Sequence, residues 1–275
     1  MDNSAQIAYW NGTAGAKWVR DADRLDAMLQ PFADLVLSAA KPLSGERVID
    51  IGCGAGALSI AAAKSGASVT GVDISEPLVR IARERAASRS ASAQFEVADA
   101  SEWRPSTQAD LVISRFGVMF FAEPAAAFAN IRVGIKPGGR LAFACWQPLA
   151  ENDWASAPVA VALPFLDTPP APPPPGAPGP FAFGDSSRIE AILTEAGWAD
   201  IGLTPWQGNI ELPGADAEQT ADFMLELGPL GRAIAEQQVD PQKIRAALAA
   251  HLKGLAGPDG RTRMKAAVWI VEARA

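Results

Sequence analysis

The residues best placed to do chemistry are three glycines and three acids set around short apolar runs. Val48-Ile49-Asp50-Ile51 leads into Gly52-Cys53-Gly54-Ala55-Gly56, three glycines at alternate positions followed by a helical stretch. Glycine there permits positive φ and lets the backbone approach a ligand, and a helix N-terminus offers free N–H groups, so a nucleotide-like ligand is expected at this turn. Read as G-x-G-x-x-[GA], with Ala57 in the last slot, the string also matches a dinucleotide fingerprint. The turn alone therefore leaves nicotinamide and adenosyl ligands both open.

The acids narrow the choice. Asp50 lies two residues before the first glycine, where a carboxylate would oppose a pyrophosphate but could receive an ammonium group, directly or through water. Asp73 ends the next β-rich run, 17 residues after Gly56, where it can accept hydrogen bonds from both hydroxyls of a ribose. Asp99 lies at the end of a third run and is suited to accept from an adenine amino group. An acid at a strand end is often only the cap of the next helix. Three on successive strands, at the carboxyl edge where an open α/β sheet binds ligands, point to one cleft.

The elements that must carry these groups follow from the apolar pattern. Helical periodicity over the first 46 residues puts Leu25, Met28, Leu29, Phe32, Leu35 and Val36 on one face, with Pro31 as a bend point. Strands are predicted at 47–51, 68–73, 94–99, 110–114 and 140–146, alternating with helices at 57–65, 75–88 and 123–135. Ser75 is expected as an N-cap, with Pro77 just inside its helix. Lys136-Pro-Gly-Gly is expected as a turn leading into the fifth strand. Arg80, Arg83, Arg85 and Arg89 are assigned to a solvated helix face.

Beyond residue 146 the pattern breaks. Eight prolines in the thirteen positions 168–180 demand an extended excursion. A helix from about Ser187 follows, with Glu190 at its capping-box position, then a sixth strand within 199–212. Helices are expected near 216–227, 231–238 and 241–253, and a final strand at 267–273. The predicted fold is α/β, a Rossmann-like, doubly wound, mostly parallel sheet of seven strands with a helical N-terminal segment and lid insertions.

Composition sets the exclusions. The chain of 275 residues has one histidine and two cysteines, Cys53 and Cys145, too few for a zinc or multi-histidine centre or a disulfide scaffold, so no metal is expected. Two lone thiols fit a reducing cytoplasm. No segment approaches the ~20 apolar residues of a membrane helix, and no basic, apolar leader opens the chain. Of the net charge of −7, −8 falls within 185–230, which disfavours polyanionic partners such as nucleic acid.

Taken together, VIDIGCGAG, the spaced Asp73 and Asp99, Ser114-Arg-Phe-Gly-Val-Met-Phe-Phe121 and Lys136-Pro-Gly-Gly-Arg-Leu resemble a class I S-adenosylmethionine-dependent methyltransferase. The match is to the small-molecule branch that includes ubiquinone/menaquinone C-methyltransferase-like proteins, and it is best over residues 45–146. Tyr9-Trp10-Asn11-Gly12-x-x-Gly15-x-x-Trp18 is similar to a segment that closes over the cofactor in some relatives. The resemblance implies S-adenosylmethionine as cofactor and S-adenosylhomocysteine as product. It places Gly52, Cys53, Gly54 and Gly56 on the methionine and ribose part, Asp73 and Ile74 at the ribose, Asp99 and Ala100 at the adenine, and Ser114 near the methionine. Asp50 would act through its carboxylate, and Trp10 and Trp18 would close the site.

Methyl transfer from a sulfonium is an in-line displacement that a protein can drive by alignment and water exclusion, so no catalytic triad is required. His251 is assigned to the surface or to packing, and no residue is singled out as catalytic. Tyr9, Phe116, Phe120, Trp146 and Trp154 are the expected acceptor pocket, fit for a small aromatic or apolar metabolite. The expected organisation is one domain over 1–275: a helical cap (1–44), a cofactor-binding core (45–146), a Pro-rich insertion (147–184) and a C-terminal half (185–275) with a helical lid at 213–255. An NAD-dependent oxidoreductase and a non-catalytic S-adenosylmethionine-binding interaction protein remain the alternatives. The oligomeric state is open, a homodimer being one option.

Overall fold

The computed structural model describes residues 3–174 and 176–275. Three helices come first, α1 (Ser4–Asn11), α2 (Thr13–Arg20) and α3 (Ala22–Ala40). The apolar stripe of α3 is buried at Leu25, Met28, Leu29, Phe32 and Val36, and half-buried at Leu35. The helix runs unbroken through Pro31.

The chain then alternates β1 (Arg47–Ile51), α4 (Ala57–Ala63), β2 (Ser68–Asp73), α5 (Glu76–Ser88), β3 (Ala93–Val97), β4 (Ala109–Arg115), α6 (Pro124–Val133) and β5 (Ile135–Trp146). Next come α7 (Asp153–Ala162), α8 (Ser186–Glu195), β6 (Ala199–Glu211), α9 (Ala217–Met224), α10 (Gly228–Gln237), α11 (Pro241–Leu255) and β7 (Arg263–Arg274). The seven strands form one sheet in the order β3-β2-β1-β4-β5-β7-β6, an α/β fold as expected. β1 to β5 pair in parallel. β7 runs the other way beside β5, since the Ala275 N–H donates to Gly139 O and the Gln147 N–H to Ala267 O, each at 3.0 Å. β1 and β4 are covered on both faces, which is why Val48, Ile49, Leu111, Val112 and Ile113 form nearly continuous apolar runs. Strand order reverses between β1 and β4, and ligands of such sheets bind outside the carboxyl ends at that point.

Several local expectations are corrected. Lys136-Pro-Gly-Gly belongs to β5: Ala109 pairs with Ile135 and Leu111 with Arg140, so the extra residues of β5 bulge out within the strand. Ser75 stands at the N-cap position of α5, but its hydroxyl donates to Trp10 O at 2.9 Å. The cap of α8 is Asp185, which accepts from Ser187 N, two residues before the Ser187 cap of the box built on Glu190. Helix α7 was not anticipated, because Pro158 lies inside it and its sequence is apolar almost throughout. Nor are the arginines of α5 all solvated. Arg83 donates to Phe95 O, and the side chain of Arg85, 15% exposed, reaches Asp23 and Asp26 of α3.

The chain divides into two compact units. The larger comprises Met1–Cys145, Pro178–Pro205 and Trp269–Ala275, and carries β1 to β4 with the glycine-rich turn. The smaller comprises Trp146–Ala177 and Trp206–Val268, and its helices α7, α9, α10 and α11 pack on one another around Trp154, Met224, Leu230, Ile244, Leu248 and Leu252.

Candidate functional site

At the carboxyl end of β1 the three glycines have different duties. Gly52 has φ +65°, and a Cβ there would lie 2.5 Å from Gly117 Cα, so the loops that leave β1 and β4 pass backbone against backbone. Gly54, φ +52°, is the position where a Cβ would meet nothing within 4 Å; its N–H donates to Asp73 Oδ2 at 2.8 Å. Gly56 is pressed against Ala82 and Phe95. The middle glycine thus faces open space, and its neighbours fix the shape of the turn.

Asp73 accepts from Gly54 N through Oδ2 and from Ser75 N through Oδ1, both at 2.8 Å. Each carboxylate oxygen keeps a further lone-pair site. Burial raises its pKa above the usual carboxylate range, and the backbone N–H groups pull against that rise. Asp50 is buried, accepts from Ser59 Oγ at 2.5 Å through Oδ2, and has no partner at Oδ1. Burial pushes it up to about 7, opposed by the Ser59 hydroxyl and by the charge of Arg115. Cys53 is a buried thiol pushed upward by the same desolvation, which keeps it protonated and unreactive.

The other expected cofactor residues are engaged as follows. Asp99 accepts from Asn3 Nδ2 at 2.9 Å on both oxygens, and its Oδ1 also accepts from Ser101 N and Oγ. Ala100 beside it is buried. Ser114 is fully buried; its hydroxyl donates to Ile51 O at 2.7 Å and accepts from Gly117 N at 3.2 Å, which pins the β1 and β4 loops together. Ile74 presents its carbonyl to Asn11 Nδ2 at 2.8 Å.

The N-terminal helix α1 crosses this edge. Asn3 holds Asp99 and also accepts from Ala122 N at 3.1 Å, while Asn11 bonds Ile74 O and accepts from Glu76 N at 3.0 Å. Trp10 stands edge-on to Phe120 at 5.3 Å, to Trp18 at 5.6 Å and to Tyr9 at 5.3 Å. One short helix is therefore fastened to the loops after β2, β3 and β4. Sequence reasoning singled out Trp10 and Trp18, held Asn11 only as part of the segment around them, and missed Asn3, whose only signal was an amide at the start of a weak helix.

The expected acceptor residues separate into groups. Tyr9 and Phe120 join Trp10, with Tyr9 57% exposed. Phe116, at φ +66°, is buried with its ring 5.2 Å from Phe32 of α3. Trp146 and Trp154 are buried in the smaller unit, 4.8 Å apart, and Trp154 Nε1 donates to Asn152 Oδ1. Among the described residues no three His, Cys, Asp or Glu side chains gather as metal ligands, and no helix is long and apolar enough to cross a membrane.

Residues 48–139 match the family model described as a methyltransferase domain. This stretch of the chain is similar to that family. Its bounds take in β1 through the first residues of β5, and so the glycine-rich turn, Asp73, Asp99 and Ser114. A ubiquinone biosynthesis O-methyltransferase of Coxiella burnetii is 36% identical over 102 residues, covering 37% of this chain and 44% of that protein. The matched stretches span less than half the length of the curated relatives. Among solved structures, the YcgJ protein of Bacillus subtilis has the same fold at a TM-score of 0.60 and 15% identity, over 89% of this chain and 98% of its own. The magnesium protoporphyrin IX methyltransferase of Synechocystis, solved with bound S-adenosylhomocysteine, matches at a TM-score of 0.54 and 24% identity over 74% of this chain and 93% of its own.

Proposed function

We propose that the chain is an S-adenosylmethionine-dependent methyltransferase acting on a small aromatic or apolar metabolite. The observation that carries this reading is the match of residues 48–139 to the methyltransferase-domain model, with Gly54 and Asp73 joined at the carboxyl edge of the sheet within it. The residues present fit the cofactor: Gly54 leaves room for a ligand, Asp73 keeps acceptor sites for ribose hydroxyls, and Asp50 has a buried oxygen without a partner.

When bound, the sulfonium supplies an electrophilic methyl group. The chain's own part would be alignment and exclusion of water. Asp73 and the turn 52–56 would fix the nucleoside, and α1, fastened by Asn3 and Asn11, would cover the edge. Trp10 and Phe120 would offer aromatic faces to a cation and to a flat acceptor. The choice of an apolar metabolite is supported by these rings and by the Coxiella relative, named for ubiquinone biosynthesis. The acidic stretch 185–230 speaks against polyanionic acceptors, and two buried free thiols fit the cytoplasm.

Calorimetric titration with S-adenosylhomocysteine and with NAD tests the cofactor. We expect binding of the first and none of the second, and the reverse would refute the reading. Incubation with methyl-labelled cofactor and fractionated metabolite extracts then tests transfer, with label expected in an apolar small-molecule fraction.

A further inference from the structure

Helix α1 is fastened at both ends, and the two fastenings differ in kind. Asn11, its last residue, bonds Ile74 O and Glu76 N, backbone groups between β2 and the start of α5. Asn3 stands at the N-cap position, where an asparagine ordinarily turns its side-chain oxygen back to the first free N–H groups of its helix. It makes no such bond. Its Nδ2 lies 2.9 Å from both oxygens of Asp99, just past β3, and its Oδ1 accepts from Ala122 N at 3.1 Å in the loop after β4. All of these groups belong to the larger unit.

A nitrogen equidistant from the two oxygens sits astride the carboxylate. Oδ1 also accepts from Ser101 N at 2.9 Å and from Ser101 Oγ at 2.7 Å, which fills its lone pairs, so the approach to Asp99 is largely spoken for. The group in that place has a particular pattern. A primary carboxamide sets an amino donor beside an acceptor oxygen, and adenine sets an amino donor beside an acceptor ring nitrogen. Asn3 therefore meets the Asp99 carboxylate and the Ala122 N–H with the donor and acceptor pair that an adenine edge would bring.

We propose that Asn3 is an internal competitor of the cofactor's adenine, a latch whose carboxamide holds Asp99 until the base displaces it while α1 stays pinned at Asn11. The inference rests on the proposed function and on Asp99 as the acceptor for the adenine amino group. A ligand that must displace a side chain binds with its intrinsic affinity reduced by the fraction of molecules in which that side chain has let go. The exchange is matched in kind, an amide donor for an amino donor, so the half-buried Asp99 keeps a partner before and after it.

The test measures binding of S-adenosylhomocysteine to the full chain, wild type and Asn3→Ala, by calorimetry and stopped flow. Asn3→Ala should bind at least about threefold more tightly, because the competitor is gone. The gain should lie in the association rate, with dissociation unchanged, since a displaced Asn3 does not touch the bound base. Weaker or unchanged binding by Asn3→Ala, or a gain carried by slower dissociation, would overturn the inference and show that carboxamide and base bind side by side. A second measurement needs no variant: S-inosylhomocysteine, whose oxo group cannot donate to Asp99, should bind wild type about tenfold or more weakly than S-adenosylhomocysteine. Equal affinity for the two would also overturn the inference. Failure of wild type to bind S-adenosylhomocysteine would instead refute the proposed function.

Discussion

The N–H of Gly54 donates to Asp73 Oδ2 at 2.8 Å, so the middle glycine of the turn after β1 is tied to the last residue of β2, 19 positions later. The other oxygen of the same carboxylate receives Ser75 N. Asp73 therefore shapes the site as well as facing it, and a substitution there has two consequences that can be measured apart.

Asp73→Ala should lower affinity for S-adenosylhomocysteine by about 1–3 kcal/mol, and should also lower the melting temperature because two backbone N–H groups lose their acceptor. Asp73→Asn keeps one acceptor oxygen and should fall between the two. Calorimetry and thermal denaturation of the three proteins check this, and an unchanged affinity in Asp73→Ala would mean that the ribose is held elsewhere.

Gly52 and Gly54 should separate folding from binding. Gly52→Ala places a methyl group 2.5 Å from Gly117 Cα and adds left-handed strain, a loss on the order of 3 kcal/mol in chemical denaturation. Gly54→Ala meets nothing, so it should cost only about 1–2 kcal/mol from its positive φ. Its methyl group would project into the space assigned to the ligand, and binding of S-adenosylhomocysteine should fall far more than stability does.

Asp50 predicts a pH dependence. Its folded pKa, about 7, lies above the ordinary carboxylate value of 3.8, so the native chain holds a proton that the unfolded chain releases across that window. The unfolded state then binds fewer protons, and stability falls as pH rises from about 4 to 7. Asp73, also raised by burial, acts in the same direction, whereas the lowered carboxyls Glu46 and Asp110 act below that range. The ligand-free protein should melt higher at pH 5.5 than at pH 7.5, and Asp50→Asn should flatten the difference while Ser59 keeps an oxygen to bond.

Asn11 is the hinge pin of the N-terminal cover. Asn11→Ala removes the bonds to Ile74 O and Glu76 N and should speed hydrogen exchange over residues 4–20 with little change in the sheet. The dissociation rate of S-adenosylhomocysteine should rise in stopped-flow measurements. An unchanged rate would show that α1 does not gate the ligand.

Much of this was legible in the residues. β1 and β4 announce themselves because both their faces are covered and the apolar run is nearly unbroken, and Asp50 and Asp73 were placed by their distance from the glycines. What stayed hidden depended on who else was nearby. Ser75 reads as a cap until Trp10 O takes its hydroxyl, and Lys136-Pro-Gly-Gly reads as a turn until β4 shows that those residues bulge within a ladder. Arg115 looks like any arginine at a strand end. Only the shared use of Asp26 by two guanidiniums leaves one of its nitrogens without a partner.

The sheet order carries one more consequence, for the way the chain assembles. Among the described residues β6 pairs with β7 alone, and β7 follows it in the chain after three helices. During synthesis β6 is therefore made before the strand that will join it to the rest, and it waits as an exposed ribbon of unpaired peptide groups. Such ribbons invite pairing between nascent chains. β6 carries Pro205 and a largely solvent-facing surface, which blunt that risk until β7 emerges and slots in beside β5.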